Sequence, residues 1–173
     1  YDWLVKDLEE ANKNRAARPW IVSFFHRPFY CSNSDTVECH QFNNHIIRDG
    51  FLNMPGLEQL FIEQGVDMAF AGHEHSYERF YPRTPTPDYQ EVPEPYHNPA
   101  GPIYVVTGAA GCHSLSPFGH PVPFSAVRDT DYGYSRMYIP NATHIHFEEN
   151  SVQKNAVFDE IWISKDKQTK FEQ

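Results

Sequence analysis

Apolar side chains change their spacing several times along this chain, and each change marks an element. Leu4, Leu8 and Ala11 recur at intervals of four and three among charged residues, the stripe of an amphipathic helix over residues 2 to about 17. Pro19 ends that helix, and the apolar run 21–25 follows as a buried strand. Pro55 at a first helical position, Leu57, Leu60 and Phe61 on one face, and Gly65 as a stop describe a second helix. Residues 66–71 form the next buried strand and 103–107 a third. Helices alternating with buried strands predict parallel strands joined by crossovers. From about residue 133 the rhythm changes. Residues 133–139, 143–149 and 157–164 read as three strands joined by short polar turns, an antiparallel meander. The intervening stretches 27–53, 82–102 and 109–131 lack an apolar period and read as long loops, the middle one rich in proline.

Two of the buried strands end in imidazole. The first runs straight into His26, and the second into Gly72-His73-Glu74-His75, where the glycine is expected to let the backbone turn. Neutral imidazole is the commonest protein metal ligand, and open α/β sheets place their sites at strand ends. His26, His73 and His75 are therefore the candidate ligands, gathered at one edge of a sheet. Thr143-His144-Ile145-His146-Phe147 offers a contrast within the same chain. Its two histidines lie inside an alternating strand, on one face and about 7 Å apart, with no glycine turn beside them, and they read as sheet-surface residues. His40, His45, His97, His113 and His120 fall in polar or proline-rich loops and are weaker candidates.

With 173 residues and 40% hydrophobic content, including 13 Phe and 10 Tyr, the chain has the size and core of one globular domain. No apolar run approaches the length of a membrane span. A formal net charge of −9 argues against nucleic acid or an anionic membrane surface as partner. Cys31 and Cys39 bracket a short polar loop that a local disulfide would pin, and Cys112 stands apart from them. Asn141-Ala142-Thr143 is an N-glycosylation sequon in a turn between two strands. Disulfide and sequon together favour a secreted or lysosomal protein. The chain opens inside a helix, and is expected to be an internal segment of a longer precursor.

Three blocks carry a resemblance: Phe25-His26-Arg27-Pro28-Phe29-Tyr30, Ala71-Gly72-His73-Glu74-His75-Ser76-Tyr77-Glu78-Arg79, and Gly101-Pro102-Ile103-Tyr104-Val105-Val106-Thr107-Gly108. In order and spacing they resemble the purple acid phosphatases of the calcineurin-like metallophosphoesterases. The Cys31-to-Cys39 loop makes the animal iron/zinc type the nearest likeness. Ser125-Ala126-Val127-Arg128 and the segment 141–147 extend the likeness over nearly the whole chain. The resemblance implies an α/β (α+β) fold, a sandwich of two mixed β-sheets flanked by helices. Residues 1–173 would be the C-terminal part of a single catalytic domain. It also implies a dinuclear centre of Fe(III) with Zn(II), Fe(II) or Mn(II), hydrolysing small phosphate monoesters. His26 and His73 would hold the divalent ion and His75 the ferric one. The family's Asp, Tyr and Asn ligands come from motifs this chain does not contain, so an N-terminal remainder would have to supply them and the isolated segment would be inactive. Two other readings stand beside this one. The chain could be a scaffold or binding segment with no complete metal site, or part of a metallophosphoesterase acting on phosphodiesters or nucleotides.

Overall fold

The computed structural model describes residues 1–34, 37–41, 43–83 and 92–166, with all their side chains except those of His40, Gln41 and Asn43. The middle of the proline-rich stretch, residues 84–91, lies outside the described residues. Helix α1 (Asp2–Lys13) leads to β1 (Val22–Phe25); a π-helical turn (Val37–Gln41), α2 (Asn43–Asp49), and a small ribbon of β2 (Gly50–Phe51) and β3 (Met54–Pro55) follow. Next come α3 (Glu58–Gln64), β4 (Met68–Ala71), β5 (Tyr77–Phe80), β6 (Ile103–Thr107) and β7 (Ser125–Asp129). The chain closes with β8 (Gly133–Asn141), β9 (His144–Ser151) and β10 (Ala156–Ser164).

Strands β1, β4, β6, β5 and β7 form one five-stranded sheet in that order, and β10, β9 and β8 form a second sheet of three. β1, β4 and β6 run parallel, as the alternation of helix and strand predicts, while β5 pairs antiparallel with β6 and β7. The larger sheet is therefore mixed, and the smaller one is antiparallel throughout. Each face of the larger sheet carries its own core, because successive strand residues point to opposite sides. Ala69, Tyr104, Val106 and Phe80 pack with Leu8, Leu60 and Phe61 of the helices. Met68, Phe70, Ile103 and Val105 pack with Ile145, Phe147, Ile161 and Ile163 of the three-stranded sheet. The arrangement is helices, sheet, sheet. A buried ionic knot anchors its lower corner: Asp67 accepts from the Ile21 N–H at 2.9 Å and from Arg15 at 3.1 Å, and pairs with Lys165.

The structure corrects several expectations drawn from the pattern. α1 ends at Lys13 rather than near 17, because Asn12 and Arg15 turn aside to donate to backbone carbonyls at the end of α3. Pro55 sits in β3 rather than opening a helix, and α3 begins at Glu58 and closes on Gly65 in the left-handed conformation. The stretch 27–53 contains α2, and 109–131 contains β7. β5 and β7 escape the hydrophobic pattern for one reason: their inward polar groups have partners. Glu78 of β5 is fully buried, yet it accepts from Ser32 Oγ at 2.6 Å, the Ser32 N–H at 2.8 Å and Ser125 Oγ of β7 at 2.7 Å. Arg79 meets Asp159 through two nitrogens, at 2.6 and 2.8 Å. Partners for each of these groups offset much of the cost of burying them, which lets the strands sit inside despite their polarity.

Candidate metal centre

β1 and β4 are neighbours in register, Phe25 beside Ala71, and their C-terminal ends open on the same edge. The ladder continues one residue further, with the Gly72 N–H donating to the His26 carbonyl at 3.1 Å. The chain then turns sharply. The Glu74 N–H donates to the Gly72 carbonyl at 2.7 Å, closing a tight turn around His73. The left-handed conformation falls on His73 itself, at φ 63°, and not on Gly72 as expected. A non-glycine residue pays for that conformation in strain, which the surrounding structure must hold. Part of the hold comes from Gly108 at the end of β6. A Cβ there would lie 2.0 Å from the Glu74 carbonyl oxygen, so only glycine lets β6 and the histidine turn lie this close.

The turn brings two imidazoles edge to edge. His26 Nε2 and His73 Nδ1 stand 3.1 Å apart, with the rings nearly perpendicular at 82°. Two nitrogens that each sit about 2.1 Å from one ion in a tetrahedral arrangement are about 3.4 Å apart, so this spacing fits a shared metal ion. The other nitrogen of His73 faces a carboxylate, Glu38 Oε2 at 3.5 Å, which Arg27 holds in turn. Such an outer carboxylate fixes ring orientation and raises the basicity of a ligating histidine.

His75 is set differently. Its Nδ1 lies 2.7 Å from the Ser114 carbonyl, which can only accept, so Nδ1 carries a proton and Nε2 is the nitrogen left to face a metal ion. Its backbone is pinned on both sides, the N–H to Ser116 Oγ at 3.0 Å and the carbonyl to the Ser116 N–H at 3.1 Å. The structure thus brings His26 and His73 together as one pair and orients His75 from the facing loop. Among the described residues the three do not offer nitrogens all within 4.8 Å of one another, so they are not a single-ion triad.

Residues that are not candidate ligands hold this edge in place. In Ser76-Tyr77-Glu78-Arg79 the side chains alternate between two sides, Ser76 and Glu78 tying down the segment at Ser32 and Asn33 and Tyr77 and Arg79 tying down β10. Ser76 accepts from Asn33 at 3.0 Å, Tyr77 donates to Asp159, Glu78 receives Ser32 and Ser125, and Arg79 grips Asp159. Burial pushes the Glu78 carboxyl above its ordinary range, partly offset by its hydrogen bonds to Ser32 and Ser125. The adjacent charges Glu78 and Arg79, three and four residues after His75, were the available signal, since a buried strand that contains them must be compensated from elsewhere. Cys31 and Cys39 are joined in a disulfide that closes the loop beside Glu74, and Cys112 is a free thiol. His45 and His97 bond to their own neighbourhoods, to Asp49 and Ser164, and His113 and His120 are exposed. The side chain of His40 lies outside the described residues.

Residues 101–160 match the family model described as iron/zinc purple acid phosphatase-like protein C. Acid phosphatase type 7 of Mus musculus is 45% identical over 170 residues, covering 94% of this chain and 38% of that protein. The Fe(3+)-Zn(2+) purple acid phosphatase 12 of Arabidopsis thaliana is 34% identical over 171 residues, covering 94% of this chain and 34% of that protein. The solved purple acid phosphatase of yellow lupin (Lupinus luteus) seeds superposes with a TM-score of 0.76 at 28% identity, over 96% of this chain and 28% of that one. The chain therefore spans little more than a third of the curated relatives it matches.

Proposed function

From a chain homologous to the purple acid phosphatases along nearly all of its length, we propose that these residues contribute metal ligands to a phosphomonoesterase. They would form the C-terminal part of one metallophosphoesterase catalytic domain, completed by a further N-terminal portion of the same protein. His26 Nε2 and His73 Nδ1 would hold one ion, and His75 Nε2 a second. Iron with zinc is the family's named pairing, and we assign ferric iron to the His75 side, with Zn(II), Fe(II) or Mn(II) between His26 and His73. When bound, such a pair of ions neutralises phosphate charge and lowers the pKa of bound water. The chain's own part is positional. The Ser114 carbonyl keeps the proton on His75 Nδ1, Glu38 and Arg27 orient His73, and neutral imidazoles add no negative charge that would repel a phosphate ester.

The observation that carries this reading is the 3.1 Å approach of His26 Nε2 to His73 Nδ1, achieved by a left-handed His73. A histidine placed in a strained turn to meet another nitrogen has no packing purpose, being half-buried rather than in the core. We place the protein outside the cytosol, secreted or lysosomal. Supports for this are the Cys31–Cys39 disulfide and the sequon at Asn141, exposed at the end of β8. No helix among the described residues is long and apolar enough to cross a membrane.

The test is metal analysis and aryl phosphate hydrolysis at mildly acidic pH, on protein that includes residues N-terminal to Tyr1. Two ions per chain, iron with a divalent partner, and turnover that follows their occupancy are expected. The 173 residues alone should show no measurable turnover. Active protein with no bound metal would overturn the reading, and metal-free inactive protein would favour a scaffold.

A further inference from the structure

The outer face of the three-stranded sheet holds a second group of metal-ligating side chains. Cross-strand register sets two rows there. Arg136, Glu148 and Glu160 lie side by side on β8, β9 and β10, and Tyr138, His146 and Trp162 form the row beside them. The first row places two carboxylates directly opposite each other, an arrangement that is unfavourable without a cation between them. The second row aims a nitrogen at that point. The His146 ring stacks on Trp162 with centroids 4.4 Å apart and planes at 8°, and Tyr138 stacks on its other side at 5.9 Å and 24°. Held between them, His146 Nε2 reaches Glu160 Oε1 at 2.8 Å and Glu148 Oε1 at 3.7 Å.

We propose that His146, Glu148 and Glu160 form a binding site for a divalent transition-metal ion of the zinc class. One imidazole nitrogen and two carboxylate oxygens, all within 4.8 Å of one another, are a donor set that zinc takes. The two nitrogen-to-oxygen distances bracket the roughly 3.4 Å separation of ligands about 2.1 Å from a tetrahedral ion. Arg136 Nη2, hydrogen-bonded to Asn150 Oδ1, forms an ion pair at 2.8 Å with the other oxygen of Glu148 and leaves Oε1 to the site. Three protein donors leave a fourth position for water or for a donor from a partner. The alternative occupant of the gap is a single proton, shared in a hydrogen bond between His146 Nε2 and Glu160 Oε1.

Trp162 makes the two occupants distinguishable. It is the tryptophan stacked on the proposed ligand, so a copper ion bound at Nε2 would quench its fluorescence. Cu2+ is titrated into the purified protein while tryptophan emission is followed, then repeated with Zn2+ present and in Trp162→Phe. One-equivalent, saturable quenching that disappears in Trp162→Phe, reverses on chelation and is suppressed by Zn2+ is expected. His146→Ala and Glu160→Gln should each weaken it at least tenfold. Glu160 is exposed, so its variant keeps both the fold and the stacking. Absence of saturable Trp162 quenching, or quenching that survives unchanged in His146→Ala and Glu160→Gln, overturns the site and leaves the His146–Glu160 hydrogen bond as the occupant.

Discussion

His26 and His73 stand beyond the ends of their strands; His144 and His146 stay inside one. The first pair meets and the second does not, and the reason is where each sits relative to its strand. Within β9 the pleat keeps successive same-face residues about 7 Å apart, so two histidines of one strand cannot meet, and donors must come from the neighbouring strand by register. His146 accordingly finds Glu160 across the sheet, while His144 bonds only locally, to Thr143 and Asn141. Past a strand end the ladder no longer dictates direction. The backbone can take φ 63° at His73 and bring two rings from two strands to 3.1 Å. A sheet interior positions side chains by period, and a sheet edge positions them by bending.

The largest expected effect tests that contrast directly. In protein carrying the N-terminal portion, His73→Ala should lower aryl phosphate turnover by about 10²–10³-fold, the scale of losing a group that stabilises developing charge. The fold should survive, because His73 lies beyond its strand and outside both cores. A fully active His73→Ala enzyme would sink the assignment of the strand-tip pair.

The second prediction sharpens the difference between the two faces of β9. Outward it shows His146 and Glu148; inward it buries Glu149, bonded to Ser135 and close to Asp159 and Asp129. Burial, with those two carboxylates adding to it, pushes the Glu149 carboxyl up to about 7 from an ordinary 4.5. The folded state thus holds its proton more tightly than the unfolded chain. Stability is fully present below about pH 4.5 and should fall by about 3 kcal/mol as pH rises to about 7. Glu149→Gln should flatten that slope in denaturant titrations run across this range. An equal slope in the variant would mean that Glu149 does not carry it.

A smaller effect is expected at Gly108. Gly108→Ala forces a Cβ against the Glu74 carbonyl and should cost about 2 kcal/mol, read as a lowered unfolding midpoint. Metal affinity should fall with it, since the His73 turn must shift. Loss of stability with unchanged affinity would show that the turn does not depend on β6.

The smallest effect closes the comparison. His144→Ala should leave turnover within about twofold, as expected of a surface position away from special features. A loss matching that of His73→Ala would place the metal site on the meander instead.

Much of this was legible in the chain itself. Runs of apolar residues located β1, β4 and β6, and the meander showed in its alternation, because burial on one or both faces leaves a period that residue types alone reveal. His26, His73 and His75 stood out for the same reason, each following such a run. What the pattern could not show was β5 and β7, whose Glu78, Arg79 and Ser125 look exposed until Ser32 and Asp159 are seen opposite them. Their burial is a property of pairs separated by tens of residues, and no local window contains both members.

The same division runs through the site. Sequence alone determined which residue types end the parallel strands, since a strand's direction and its last residue are local facts. Only the tertiary structure decided that the strained residue of the turn is His73 rather than Gly72, that Gly108 leaves room for it, and which nitrogen of His75 donates to the Ser114 carbonyl. Those depend on where β6 and the loop at Ser114 come to rest. Conformational strain and tautomer are set by the atoms pressing on a residue, and those atoms arrive from distant parts of the chain.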